Sequence, residues 1–220
     1  MSEGLVKFQG TPLMASEAEA LGKIELGREE VKFQFLNQKP GFVLPQRKKH
    51  LMKTGFAIDK GHVVELCVPA GAWQHVVPFI RYFTNLQILD IFNADITEIP
   101  EWISRLRHLR VLILDHDQFE TLPDSIGDLA ELEELYILDG KLKSLPASIT
   151  RLPRLRVVEI VGHPNLQFQP DILKGLRDMK TMEELRFQWE SPKHRFHGEF
   201  DDEFYDEDDE GDEDSEYEDY

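Results

Sequence analysis

Apolar residues recur at a fixed interval of 23 positions between Leu86 and Leu152. Each unit opens on a leucine, carries apolar residues three and five positions later, and then reaches an apolar residue followed by proline. The opening residues are Leu86, Leu109, Leu132 and Leu155, and the later pairs are Ile99-Pro100, Leu122-Pro123 and Leu145-Pro146. A unit this short cannot bury its own apolar face, so the copies must stack on one shared core. The interval therefore predicts a solenoid.

The same register extends beyond the three obvious units. Counting back 23 positions from Leu86 and Leu89 reaches Val63 and Leu66, so we expect a divergent first repeat over residues 63–85. The turn signal at residues 59–61 predicts a β-hairpin whose second strand begins the solenoid. At the other end, a longer unit predicts a helix capped by Asp171 and a last strand around Leu185. Six strands result.

The repeat around Leu109 to Leu114, continued by Phe119, Leu122-Pro123 and Ile126, resembles a leucine-rich repeat of the 23-residue leucine-proline type. The resemblance implies an α/β solenoid, a horseshoe whose concave side is a parallel sheet of about six strands. It also implies turns or 3₁₀ helices on the convex side, and a surface for a protein partner rather than an enzyme.

The chain departs from this family at one position. The family usually places asparagine eight residues after the opening leucine, where its side chain bonds to neighbouring backbones. Here those positions hold Gly71, Ala94, Asp117 and Gly140. We therefore expect the ladder of side-chain hydrogen bonds to be essentially absent and the turn after each strand to be softer than usual.

Between the core positions of each strand lie residues that face the concave side, because successive side chains alternate in direction. Many of them are apolar or aromatic, which predicts an exposed patch of about 400 Å² and a partner-binding surface. The residues are Ile88, Phe92, Val111, Ile113, Tyr136, Leu138, Val157 and Val161. Two alternatives stay open. β-Branched residues simply suit strands and cover one another, or residues 31–44, rich in phenylalanine, fold back over the face.

The sequence contains few candidates for catalysis or metal binding. Residues 115–117 read Asp-His-Asp, but side chains on a strand point apart in turn, so we expect no metal or general-base site there. His194 and His197 are expected to be solvated. Cys67 has no partner for a disulfide and no histidine close in sequence, so we expect no catalytic thiol. These observations predict a non-enzymatic protein without a cofactor.

Negative charge is concentrated at the C-terminal end. The net charge is −17, and residues 199–220 hold 15 acids without lysine or arginine, which leaves about −2 for residues 1–198. Such a segment is expected to be disordered. Aromatic side chains lie among the acids, namely Phe200, Phe204, Tyr205, Tyr217 and Tyr220. The layout is similar to that of acidic leucine-rich nuclear phosphoproteins, and the segment resembles those by which histone chaperones shield basic partners.

Three roles stay open for this tail: binding a basic protein, keeping the chain in solution, or covering the basic residues near Arg47 to Lys53. A near-neutral body with an acidic tail repels phosphate backbones, so we expect no direct binding of nucleic acid. With one cysteine, no signal-peptide pattern and no apolar run of membrane-spanning length, we expect a soluble intracellular protein, cytoplasmic or nuclear.

These observations divide the chain into three parts. Residues 1–54 form an N-terminal extension, residues 55–198 a leucine-rich-repeat solenoid with caps, and residues 199–220 the acidic tail. The predicted function is that of a protein–protein interaction module with its partner on the concave face. The alternative is a binder of basic proteins, similar to a histone chaperone, that acts through the tail.

Overall fold

The computed structural model describes residues 4–8, 10–26, 34–35, 55–68, 70–167 and 169–188. The acidic tail, its aromatic residues, His194, His197 and the basic residues from Arg47 to Lys53 lie outside this part of the chain, so the interpretations that concern them stay predictions. The strands are β1 (Leu5–Phe8), β2 (Thr11–Met14), β3 (Gln34–Phe35), β4 (Gly55–Asp59), β5 (His62–Val68), β6 (Ile88–Phe92), β7 (Val111–Asp115), β8 (Glu134–Leu138), β9 (Val157–Val161) and β10 (Glu184–Gln188).

One large sheet has the strand order β10-β9-β8-β7-β6-β5-β4-β3, and β1 pairs with β2 in a separate small sheet. The run from β5 to β10 is parallel throughout, which confirms the predicted solenoid and its six strands. Matching repeat positions lie side by side, since Leu112 is in register with Leu89 on one side and Leu135 on the other. These leucines are fully buried. The repeat interval thus sets the register of the sheet.

The convex side is built from short 3₁₀ helices, each of which begins just after the proline of its repeat. They span Glu101–Arg105, Asp124–Asp128 and Ala147–Arg151, and each buries one isoleucine: Ile103, Ile126 and Ile149. In the first repeat an α-helix, α2 (Trp73–Ile80), takes this place and buries Trp73 and Val76. The terminal repeat therefore differs from its neighbours as a capping unit should.

The N-terminal side of the solenoid is closed by the predicted hairpin and by a helix. Strands β4 and β5 are antiparallel, and Lys60 and Gly61 make the turn with φ values of 49° and 82°. Helix α1 (Ala15–Leu26) contributes Leu21 and Ile24 to the same hydrophobic core as the repeats. Its Glu17 is buried and accepts a hydrogen bond of 2.8 Å from the backbone N–H of Val63. The described N-terminal residues therefore pack with the solenoid.

At the other end, helix α3 (Pro170–Arg177) precedes β10, and Leu185 lies in register with Val158. The expectation that Asp171 caps this helix is wrong. The capping residue is Gln169, without a side-chain cap hydrogen bond, and proline occupies the first helical position. Proline suits that position because its fixed φ is already helical and it lacks the N–H that would stay unsatisfied. In the described part of the chain, no helix is both long and apolar enough to cross a bilayer.

We predict that Gly127→Ala lowers the free energy of unfolding by about 1–3 kcal/mol, the usual cost of overpacking. A Cβ on Gly127 would lie 2.5 Å from the carbonyl oxygen of Ser148, so the second and third 3₁₀ helices would have to separate. The control is Gly22→Ala within α1, where the nearest atom is 4.0 Å away. This change should stabilise the helix by about 0.5–1 kcal/mol. Urea unfolding followed by circular dichroism measures both, and equal effects would contradict the prediction.

Candidate functional site

The concave face carries an apolar cluster that is separate from the core. Val111, Tyr136 and Val157 form its buried centre, and half-buried Ile88, Ile113 and Leu138 pack against them. The cluster holds six of the eight residues that the repeat columns suggested, and it extends over the four strands β6 to β9. Its members come together because the parallel register sets equivalent positions of consecutive repeats next to each other.

The other two residues lie outside the cluster, at the ends of their strands. Phe92 is half-buried and its ring lies 5.5 Å from the imidazole of His116, edge to face. Val161 is buried. With Val111, Tyr136, Val157 and Val161 all buried, the expected patch of about 400 Å² is too large an estimate. Neighbouring strands place matching side chains about 4.8 Å apart, so residues of one column cover part of one another.

Buried carboxylates surround the apolar cluster, and sequence reasoning considered only Asp115 among them, as part of the Asp-His-Asp run. Asp90, Asp115, Glu134 and Glu159 are all on concave strands and all less than 9% exposed. Glu134 accepts a hydrogen bond of 2.9 Å from the hydroxyl of Tyr136, and it forms an ion pair with Arg156. Burial raises the pKa of Glu134, while Tyr136 and Arg156 oppose the rise. The signal in the sequence was an acid inside an otherwise apolar strand.

Asp90 is the least compensated of these acids. Its side chain is 5% exposed, and its Oδ1 has no hydrogen-bond partner among the described residues. In the sheet it lies between Cys67 and Ile113, neither of which carries charge. Burial raises the pKa of Asp90 to about 7, and the negative charges of Asp115 and Glu65 add to the rise. Burial also raises the pKa of the Cys67 thiol, which leaves it a poor nucleophile.

A left-handed residue ends the strand in four consecutive repeats. Asn93, His116, Asp139 and Gly162 are 23 positions apart and have φ values of 47°, 58°, 45° and 77°. Asparagine, aspartate and histidine are the non-glycine residues most often found in this conformation. A Cβ on Gly162 would lie 2.1 Å from Asp139 Oδ1, so the fourth position also requires the absence of a side chain. Backbone geometry therefore accounts for much of this polar rim.

Within the described residues, Asp115, His116 and Asp139 offer possible metal ligands whose donor atoms all lie within 4.8 Å of one another. Asp115 Oδ1 is 2.5 Å from His116 Nδ1, and Asp139 Oδ2 is 4.0 Å from Nε2. The expectation that Asp115 and His116 point apart is wrong, because His116 follows the end of β7 in the left-handed conformation. A cation at Nε2 would leave Asp115 as the hydrogen-bond partner that orients the ring.

Two side chains restore part of the ladder that was expected to be essentially absent. Asp117 accepts a 3.4 Å hydrogen bond from the N–H of Ile96 in the preceding repeat. His163, one repeat beyond Gly140, accepts at Nδ1 from the N–H of Leu142 at 3.2 Å, and its Nε2 lies 3.1 Å from the carbonyl oxygen of Ile137. A Cβ on Gly140 would lie 2.7 Å from the carbonyl oxygen of Asp117 and 3.2 Å from the His163 ring. The small residue thus makes room for the larger one.

Comparisons with known proteins agree with this geometry. The leucine-rich repeat region family model matches residues 63–205, well over half of the chain. The leucine-rich-repeat ectodomain of the receptor kinase SOBIR1 from Arabidopsis thaliana is 18% identical, with a TM-score of 0.50 and coverage of 81% of this chain and 94% of that chain. A chain of the BIR3–SERK2 complex from Arabidopsis thaliana is 20% identical, with a TM-score of 0.47 and coverage of 79% and 95%.

A leucine-rich repeat protein of Leptospira interrogans is 20% identical, with a TM-score of 0.48. That match covers 70% of this chain and 42% of the other, so the chain spans less than half the length of that protein. A search of curated proteins gave no match. At such identities, likeness to solved structures shows the fold alone.

The fold is that of a solenoid whose concave sheet is lined with apolar side chains and acids. The chain belongs to the leucine-rich repeat family. Proteins of this class generally serve as protein-interaction modules and not as enzymes, and they use the concave surface that the stacked repeats create.

We predict that Asp90→Asn stabilises the protein at pH 8 and does so much less at pH 4.5. Because the pKa of Asp90 is raised in the fold from 3.8 to about 7, its stabilising protonated form is lost as the pH rises through that value. Asparagine stays neutral throughout, so its advantage should grow by about 3 kcal/mol between the two conditions. Urea unfolding at both pH values measures it, with exposed Asp124→Asn as the control. If the difference in free energy of unfolding between Asp90→Asn and the original chain did not change with pH, Asp90 would already be paired with a cation.

Proposed function

We propose that this protein is a non-enzymatic interaction module that holds a protein partner on its concave face. The observation that carries the proposal is the apolar cluster around Tyr136, which lies on the concave face of the sheet and is separate from the core. The main core packs on the opposite face of the sheet, so burying that core does not require these six apolar side chains. Half-buried Ile88, Ile113 and Leu138 leave surface for a partner's side chains to cover.

The partner expected here is an extended or helical segment with apolar side chains. Such a segment can lie across β6 to β8, where the half-buried members of the cluster are found. Interaction sites of this kind have an apolar centre and a polar rim. The concave face has both, since Asn93, His116 and Asp139 follow the strands at one edge. Support for the proposal comes from this arrangement together with the general use of leucine-rich repeats as binding surfaces.

We predict that Ile113→Asp weakens peptide binding at least tenfold. Peptides are first selected from a random library displayed on phage, with the full chain as bait, and the affinity of each is then measured by fluorescence anisotropy. A carboxylate at Ile113 places an uncompensated charge in the apolar centre of the site, and a tenfold loss corresponds to about 1.4 kcal/mol.

The matched control is Val6→Asp, because Val6 is a β-branched residue that is 42% exposed and belongs to the separate two-stranded sheet. This variant should bind the selected peptides as the original chain does. Circular dichroism and urea unfolding confirm that both variants fold. Undiminished binding by the folded Ile113→Asp protein would show that the peptides bind elsewhere, and the proposed function would fail.

A further inference from the structure

The acids of the concave face fall into two groups, which differ in whether a cation of the chain lies beside them. On the C-terminal side of the cluster the chain supplies the positive charge itself. Arg156 forms an ion pair with Glu134, and Arg186 lies 3.7 Å from Glu159. Both arginines also contact a further residue, since Arg156 is 3.1 Å from Glu183 and Arg186 is 3.1 Å from Gln188. This half of the face is therefore compensated internally.

On the N-terminal side, Asp90 has no such cation in the part of the chain that the structure describes. The charges that act on it most, those of Asp115 and Glu65, are also negative and oppose its ionisation. Arg156 immediately precedes β9, and three strand spacings separate β9 from β6, about 14 Å. That distance exceeds the reach of an arginine side chain. A buried carboxylate without a partner costs several kcal/mol, and whatever brings a cation to it recovers part of that cost.

We infer that the partner of the concave face presents a lysine or arginine side chain to Asp90. The inference rests on the proposed function and adds the chemistry of the partner. Ile88 on the same strand and Ile113 on the next are half-buried, so they can pack against the aliphatic stem of such a side chain. Lysine and arginine bury their stems along apolar surface and place the charged head where it is compensated.

The partner segment is accordingly basic as well as apolar. Its apolar side chains cover Ile113 and Leu138, and its cation reaches Asp90 at the N-terminal end of the cluster. The asymmetry gives the segment a preferred direction, since the acids Glu134 and Glu159 at the other end already have arginine partners. Charge complementarity of this kind contributes to specificity as well as to affinity.

The test is a double-mutant cycle with a peptide selected from the random library. Peptides selected by the original chain should be enriched in lysine or arginine relative to the library. Replacing the contacting lysine by norleucine, or the arginine by citrulline, should weaken binding to the original chain at least tenfold. The same replacement should weaken binding to Asp90→Asn less than twofold, because asparagine carries no charge with which the peptide's cation could pair. Both proteins carry the same acidic tail, so its attraction for cations cancels in the comparison.

Exposed Asp124→Asn is the control for removal of one negative charge, and it should keep the full tenfold effect. An equal loss in the original chain and in Asp90→Asn would overturn the inference, and so would selected peptides without excess lysine or arginine. In either case the proposed function still stands if Ile113→Asp abolishes binding. A further outcome is that the peptide's cation and Asp90 are coupled only after Arg47, Lys48 and Lys49 are replaced by serine. That result would show that the chain's own basic segment pairs with Asp90, and it would also overturn the inference.

Discussion

The structure depends on one constraint, which is that a repeat of 23 residues cannot bury its apolar face without a neighbour. Stacking satisfies this constraint only in the register that places the leucines of consecutive repeats side by side, as Leu89, Leu112 and Leu135 are. That register also determines other features of the repeats. It aligns the columns of the concave face, and it leaves the two ends of the solenoid to be closed by different structures, the β4–β5 hairpin with α1 and the α3–β10 unit.

The same register explains why residues that suggest chemistry gather at the strand ends. Strands β6 to β9 are each followed by a residue in the left-handed conformation, which glycine, asparagine, aspartate and histidine tolerate best. These are also common metal ligands and catalytic groups. His116 and Asp139 therefore meet Asp115 because the backbone requires such residues there, and their proximity does not by itself indicate a reaction.

Periodicity made the fold predictable, because an interval of 23 residues has few physical solutions. The six strands, the hairpin at Lys60-Gly61 and the apolar membership of the concave columns followed from counting positions. The local contacts did not. His163 takes part in the ladder because Gly140 leaves space in the preceding repeat, a relation between residues of two repeats that no single column displays. Likewise the first residue of α3 is set by Pro170, which competes with the capping preference of Asp171.

The burial of Asp90 was beyond sequence reasoning for a related reason. A column records which residues alternate outward, but it does not record how far their neighbours cover them or which cations are within reach. Glu159 and Asp90 occupy equivalent positions of different repeats, yet only Glu159 has an arginine beside it, because Arg186 is the equivalent residue of the next strand. Asp90 has Cys67 and Ile113 in those places. Identical positions in a repeat protein can therefore differ in function, and the difference lies in the adjacent repeats.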